Sequence, residues 1–272
     1  MGLFGNQRIG CESRLMSLRV ARILVLVALG LTLFSLSLVL RDPRIPLGVP
    51  GEWTWSRLGP KVEPVAVDIG LGMAGLVLYV GFVVAGSRAL GRDRPSRRRE
   101  AAWVIALVVA GVFAQLAALT AAPPGFGMAK AVTLAMTGSS GYYHVARSEM
   151  ADPARFLAQY PDWIRTQDVY HIGTHPPGLF LVTRAILGWM DTSPGLARRI
   201  DDALPADLSD AFRQILGPIP QADRVAVVLI AALTLLACVA TSAFLYLSMR
   251  GSGFEASSSW SAAGMWPLVP SV

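Results

Sequence analysis

The sequence predicts an all-α, polytopic integral membrane protein with about five spans, and three observations predict it. Of 272 residues, 53% are hydrophobic and only 15% are charged, where a soluble domain carries about 25% charge. Several apolar runs reach the ~20 residues that carry a helix across a bilayer core of about 30 Å. Between them lies one long polar segment, 122–176, which gathers all three histidines of the chain, His144, His171 and His175.

The first span is expected over about 20–40. Its apolar stretch is too long for a signal peptide, and Leu38-Val39-Leu40-Arg41 offers no small-residue cleavage site, so it reads as an uncleaved anchor. Residues 41–64 form an outer loop rich in Pro, Gly and Trp, with Trp53 and Trp55 at headgroup level. The next two spans are expected over 65–90 and 101–121. Arg88, Arg92, Arg94, Arg97, Arg98 and Arg99 crowd their connection, and Arg8, Arg14, Arg19 and Arg22 precede the first span. Basic stretches stay on the cytoplasmic side. The reading is therefore a multi-pass protein of the cell (inner) membrane with a cytoplasmic N-terminus, and with 41–64 and 122–178 outside. Topology accounts for the basic runs, so nucleic acid is not an expected partner. Cys11 falls in the cytoplasm and Cys238 within a span, so no disulfide is expected.

The outer loop opens on Pro123-Pro124-Gly125 and turns at 138–141. A helical stretch follows over 142–150. Asp152-Pro153 starts another, with Asp152 as N-cap and Pro153 in the first helical position. Phe156, Leu157, Tyr160, Trp163 and Ile164 supply its apolar side, so this helix is expected to lie in the interface plane. The run 177–190 is apolar but short, and Arg184 interrupts it: a tilted or broken span, or a re-entrant segment. Residues 191–223 are amphipathic, with Leu196, Ile200, Leu204, Leu208, Phe212 and Ile215 at helical spacing and a break at Pro205. They are cytoplasmic if 177–190 crosses and external if it does not. A further span is expected over 224–249. Residues 257–272 begin what reads as one more span and stop before it could cross, as expected of the N-terminal part of a longer protein.

Chemistry concentrates in the outer loop. Its carboxylates include Glu149, Asp152, Asp162 and Asp168. Its aromatic residues, Tyr142, Tyr143, Tyr160, Trp163 and Tyr170, suit sugar rings or lipid headgroups. His144, His171 and His175 offer bases or ligands, and Arg147, Arg155 and Arg165 could hold phosphate. Beyond the loop, Arg184 is charged within an apolar run and so a functional candidate. Arg184 reads equally well as a side chain snorkelling to the interface. His171 and His175 are four apart, but Gly173 and Pro176-Pro177 argue against a helix there. No glutamate completes a metal-binding pattern, and a metal site is not the expectation. His175 reads instead as a hydrogen-bonding residue at the mouth of the next apolar run, or as plain structure ahead of a proline-started helix.

Three pieces carry a resemblance: Gly141-Tyr142-Tyr143-His144-Val145-Ala146-Arg147, then Asp152-Pro153-x-x-Phe156-Leu157-x-x-Tyr160-Pro161, then Thr174-His175-Pro176-Pro177-Gly178-Leu179. Together they resemble the first large outer loop of the GT-C glycosyltransferases, in the flavour of protein O-mannosyltransferases and aminoarabinose transferases. Residues 262–270 resemble a later span of such proteins more weakly. The resemblance implies a transferase that takes its sugar from a polyprenyl-phosphate donor at the outer membrane face. That donor is a substrate; no tightly bound cofactor is expected, and a divalent metal is left open. One departure stands out. The family carries an acidic pair just before the Tyr-Tyr, whereas Ser139-Ser140-Gly141 occupy that place here. A hydroxyl without a partner cannot act as base at neutral pH, so Asp168 or Asp152 must take the acidic role or activity is lost. Asp168, close in sequence to His171 and His175, is the first choice. Asp152 reads more strongly as a cap. The catalytic set expected is Asp168, Asp152 and His175, and the substrate-binding set is Tyr142, Tyr143, His144, Arg147, His171 and Arg184. The competing readings are a non-catalytic or degenerate membrane protein and a transporter.

Overall fold

The computed structural model describes residues 66–92, 95–122, 127–136, 140–167 and 172–268, with scattered positions between 27 and 54. The chain divides into two units, 1–62 and 63–272. In the first, the described positions between 27 and 39 are helical; the rest of the expected span over 20–40 lies outside the described residues. Two short strands, β1 (Gly48–Val49) and β2 (Trp53–Thr54), pair antiparallel with Gly48 opposite Thr54. The Asp42 carboxylate accepts from the backbone and guanidinium of Arg44 at 2.9–3.0 Å.

The second unit is built on long apolar helices. Among the described residues, three are long and apolar enough to cross a membrane: α1 (Ala66–Gly91), α2 (Arg97–Thr120) and a later one, α8 (Gln221–Gly251). At 1.5 Å per residue they run for about 39, 36 and 46 Å, each more than a hydrocarbon core of about 30 Å. Large apolar side chains on all three face outward, among them Leu78, Ile105, Phe113 and Phe244. A soluble protein would bury such faces; lipid accepts them. The protein is a helical membrane protein.

Lipid supplies no hydrophobic drive between the helices, so close approach of small residues does the joining. A Cβ at Gly75 would lie 2.4 Å from the Ala117 Cβ, and one at Gly72 would lie 2.4 Å from the Ala121 Cβ. These contacts set α1 antiparallel to α2. Gly111, midway along α2, receives Val239 of α8. Glu100 at the start of α2 pairs with Arg250 at the end of α8, so α2 and α8 are antiparallel too.

Between α2 and α8 the chain forms shorter elements. A 3₁₀ stretch covers Met128–Ala135. The helix α3 (Tyr142–His144) continues as a π-turn over Val145–Glu149. Then come α4 (Pro153–Trp163), α5 (Pro177–Thr192), α6 (Pro194–Asp202) and α7 (Ala206–Ile215). At 16 residues, α5 is about 24 Å long, short of a bilayer core. It packs on the first turns of α8, with Leu187 and Met190 buried against Val225 and Ala226. The 3₁₀ stretch and α7 pack there as well, where Val132, Leu208, Phe212 and Val227 share one buried cluster. Residues 127–136 and 191–220 therefore occupy the same end of the bundle, opposite Glu100 and Arg250.

The last element is α9 (Ala256–Met265), followed by a single turn over Trp266–Leu268. It packs back into the bundle. Trp260 is fully buried, its Nε1 donates to the Val83 carbonyl at 2.7 Å, and its ring meets Phe82 and Trp103 edge-on at 5.6 and 5.4 Å. Residues 269–272 lie outside the described residues.

Candidate functional site

Gly141 starts the site. Its φ of 67° lies in the left-handed region, which glycine enters without a Cβ clash. It turns the chain into Tyr142, and the helix then widens to a π-turn whose closing bond runs from the Met150 N–H to the Val145 carbonyl at 3.1 Å. Single π-turns of this kind recur at functional positions. Here the turn carries Arg147 and ends on Glu149.

Successive residues of this segment face apart. The Tyr142 and His175 rings meet at a tilt of 42° with centroids 4.9 Å apart, and Tyr142 meets Phe180 of α5 edge-on at 5.2 Å. The His175 carbonyl accepts from the Tyr160 hydroxyl. Burial raises the pKa of both the Tyr142 and Tyr160 phenols, so both are neutral donors. Tyr143 and Arg147, four apart, turn instead toward α8. The Tyr143 hydroxyl donates to the Asp223 carboxylate at 2.6 Å, and Arg147 reaches both oxygens of the same group, Nε at 3.1 Å. The other edge of the Arg147 guanidinium grips Asp191, at 2.7 and 2.9 Å.

Asp223 is 2% exposed. A buried carboxylate needs a counter-charge and full hydrogen bonding, and it has both. Burial and the neighbouring Asp223 charge push the Tyr143 phenol well above its ordinary range. Hydrogen bonds to Asp191 and Asp223 hold Arg147 firmly protonated. Arg147 in turn lowers the Asp191 pKa, with a smaller contribution from Arg184. This four-residue cluster ties the 142–149 segment to α5 and α8.

Beside the aromatic half lies a cleft of about 330 Å³, lined by Glu149, Asp152, Arg155, Phe156, Gln159 and Trp163. The Trp163 Nε1 donates to the Glu149 carboxylate at 2.7 Å. Phe156, Tyr160 and Phe180 hold the indole, with centroids 5.0, 5.7 and 5.8 Å away. A rigid aromatic ring among carboxylate, guanidinium and amide groups can stack against one face of a small polar ring and hydrogen-bond its edge.

The sequence-predicted residues are distributed over these features. Tyr142 and His175 meet in the aromatic half, and Tyr143 and Arg147 in the ionic half. Arg184 lies near enough to Asp191 to lower its pKa, and among the described residues it has no ion pair. His144 is exposed, with its carbonyl accepting from Ser148. Asp152 is the cap of α4: one carboxylate oxygen accepts from the Ala154 and Arg155 N–H groups at 2.9 and 3.2 Å, and its side chain also borders the cleft. Asp168 and His171 lie outside the described residues. In the turn before Tyr142, the Ser140 hydroxyl donates to the Leu134 carbonyl at 2.9 Å. Asp191 and Asp223 were not anticipated. The available signal was an acid in the first turn of an otherwise apolar helix, which at a membrane boundary asks for a cationic partner.

No known protein family matches this chain, and no curated protein or solved structure matches it either. What the fold and the site define is a class: a helical membrane protein with a polar, aromatic-lined cleft at one end of its bundle.

Proposed function

We propose that this protein binds a sugar carried on a polyprenyl phosphate at the outer face of the cell membrane and transfers the sugar to an acceptor. The observation that carries the reading is the cleft at Glu149 and Trp163, which sits on the tyrosine-rich segment that resembles a GT-C outer loop. In this reading the N-terminus and the arginine-rich connection are cytoplasmic. The first span over 20–40 completes the anchor, and α5 enters the bilayer part-way and makes a broken fifth span. The helix α4 lies in the interface plane.

The transfer is a displacement. The acceptor hydroxyl attacks the anomeric carbon, the bond from that carbon to the phosphate oxygen breaks, and the lipid phosphate leaves with the electron pair. The acceptor proton passes to an outer-end carboxylate: Asp168 on the sequence reading, Glu149 on the geometry of the cleft. Arg147 is already matched by two carboxylates, so Arg184 is the better cation for the departing phosphate. Tyr142 and His175 back the cleft from behind, through Phe180, which meets both Tyr142 and Trp163. The test is sugar transfer from a labelled polyprenyl-phosphate donor in membranes. Replacing the base, Asp168→Asn or Glu149→Gln, lowers the rate by about 10²–10⁴-fold. Unchanged transfer in both variants removes both residues from the mechanism.

One observation favours a non-catalytic binding protein as the second reading. Arg147, Asp191, Asp223 and Tyr143 are occupied with each other, as structural groups are. Donor binding without transfer in the same membranes selects that reading. A transporter gains nothing here: among the described residues, the charged side chains of α1, α2 and α8 all lie towards the helix ends.

A further inference from the structure

We propose that the arginine-rich end of the bundle is a binding site for the phosphate headgroups of anionic membrane lipids. Arg88 and Arg92 at the end of α1, and Arg97, Arg98 and Arg99 in the first turn of α2, are all exposed. None of the five has an ion-pair partner among the described residues. Asp93 and Arg94, between the two helices, lie outside the described residues. The nearest described acid in sequence, Glu100, is turned away from the five. Its carboxylate accepts from the Tyr246 hydroxyl at 2.9 Å and from Arg250 at 3.2 and 3.3 Å. The other described acid at this end, Glu255, is exposed and unpaired. Among the described residues, six arginines, Arg250 included, thus face two glutamates, and the sequence adds Arg94 and Asp93 in equal number.

The arrangement is unfavourable for the protein alone. Three consecutive arginines occupy the turn where the helix dipole already places positive charge, and they fan around α2 at about 100° per residue. An anion outside the chain relieves that repulsion. Its source follows from level. Ile105, pointing outward into the apolar band, is six residues beyond Arg99, about 9 Å along the helix. Val84, likewise outward, is one turn before Arg88. The guanidiniums therefore sit one or two turns past the lipid-facing surface, at the depth of headgroup phosphates, where clusters of four or more arginines attract anionic lipid. A nucleic acid would have to enter that same anionic layer.

The experiment uses the full chain purified in detergent, with lipids retained through native mass spectrometry from mixed phosphatidylglycerol and phosphatidylcholine micelles. The wild type retains phosphatidylglycerol in preference. The triple variant Arg97→Gln, Arg98→Gln, Arg99→Gln loses that preference by about threefold or more, and the triple Lys variant keeps it. If the triple Gln variant does not fold, Arg88→Gln with Arg92→Gln is read in its place. Equal retention of the two lipids by the wild type overturns the proposal, and so does an undiminished preference in the Gln variants. Displacement of phosphatidylglycerol by millimolar inorganic phosphate, or by a short single-stranded oligonucleotide, overturns the lipid as occupant. The outcome is independent of whether the opposite end transfers sugar.

Discussion

The two ends of α8 are closed by the same three groups, an acid, an arginine and a tyrosine hydroxyl, set to different purposes. At the C-terminal end, Arg250 and Tyr246 belong to the long helix and Glu100 to α2. The cluster is half open, with Glu100 20% and Arg250 34% exposed, and it pins one spanning helix to another. At the N-terminal end the long helix supplies the acid. Arg147 and Tyr143 come from a connecting segment more than seventy residues earlier, and Asp223 is 2% exposed. That end holds down the segment bearing Tyr142, Arg147 and Glu149. The comparison teaches that the costlier, more buried pair has been placed where non-spanning chain must be fixed to the membrane bundle.

The largest expected effect breaks the buried end. Arg147→Met leaves Asp223 charged, buried and unmatched, a loss of about 3–5 kcal/mol, read as a fall in the thermal unfolding midpoint of the detergent-purified protein. Arg147→Met combined with Asp223→Leu recovers most of it, because a well-packed apolar pair can replace an ion pair. A double variant as unstable as the single one would mean that the carboxylate is not the group left exposed by the loss. Next comes packing. Gly86→Val drives a side chain into the Trp260 ring, 2.4 Å from the new Cβ, and costs about 1–3 kcal/mol. Gly81→Val, with nothing within 4 Å, stays near wild type by the same assay. The smaller electrostatic effect belongs to the open end: Glu100→Gln keeps a hydrogen-bond acceptor for Tyr246 and costs about 1 kcal/mol or less.

Acid sharpens the comparison without a mutation. Hydrogen bonds from Arg147 hold the Asp191 pKa below its ordinary value, and those from Arg224 do the same for Asp201. Each folded value lies below the unfolded one of about 3.9. The stabilisation is therefore complete above that value and is lost as pH falls through the folded pKa. Protection from amide exchange across 191–204, taken relative to the intrinsic rate at each pH, should fall below about pH 4, ahead of the helix centres. A uniform loss of protection would argue against local anchoring by these carboxylates.

Local features were legible in the sequence, and long-range ones were not. Span lengths follow from apolar runs, and the Asp152 cap with Pro153 behind it is written in two adjacent residues. The break at Pro205 separates α6 from α7 for the same local reason. The partnership of Arg147 with Asp223 has no local signature, because it depends on α5 stopping short and on 191–220 folding back beside α8. The cleft is of the same kind. Glu149 and Trp163 are fourteen residues apart, and only the turn between α3 and α4 brings them together. The resemblance drew attention to Asp168 and His171, which lie outside the described residues, and away from Asp191 and Asp223.

The central claim is that the cleft-bearing segments share one membrane face and the arginines occupy the other. Single-cysteine tagging with a membrane-impermeant maleimide tests it most directly, after replacing Cys11 and Cys238 with serine. In intact cells His144→Cys and Ser209→Cys should label from outside, while Ser96→Cys labels only after the membrane is opened. Labelling of His144→Cys and Ser96→Cys from the same side would contradict the account.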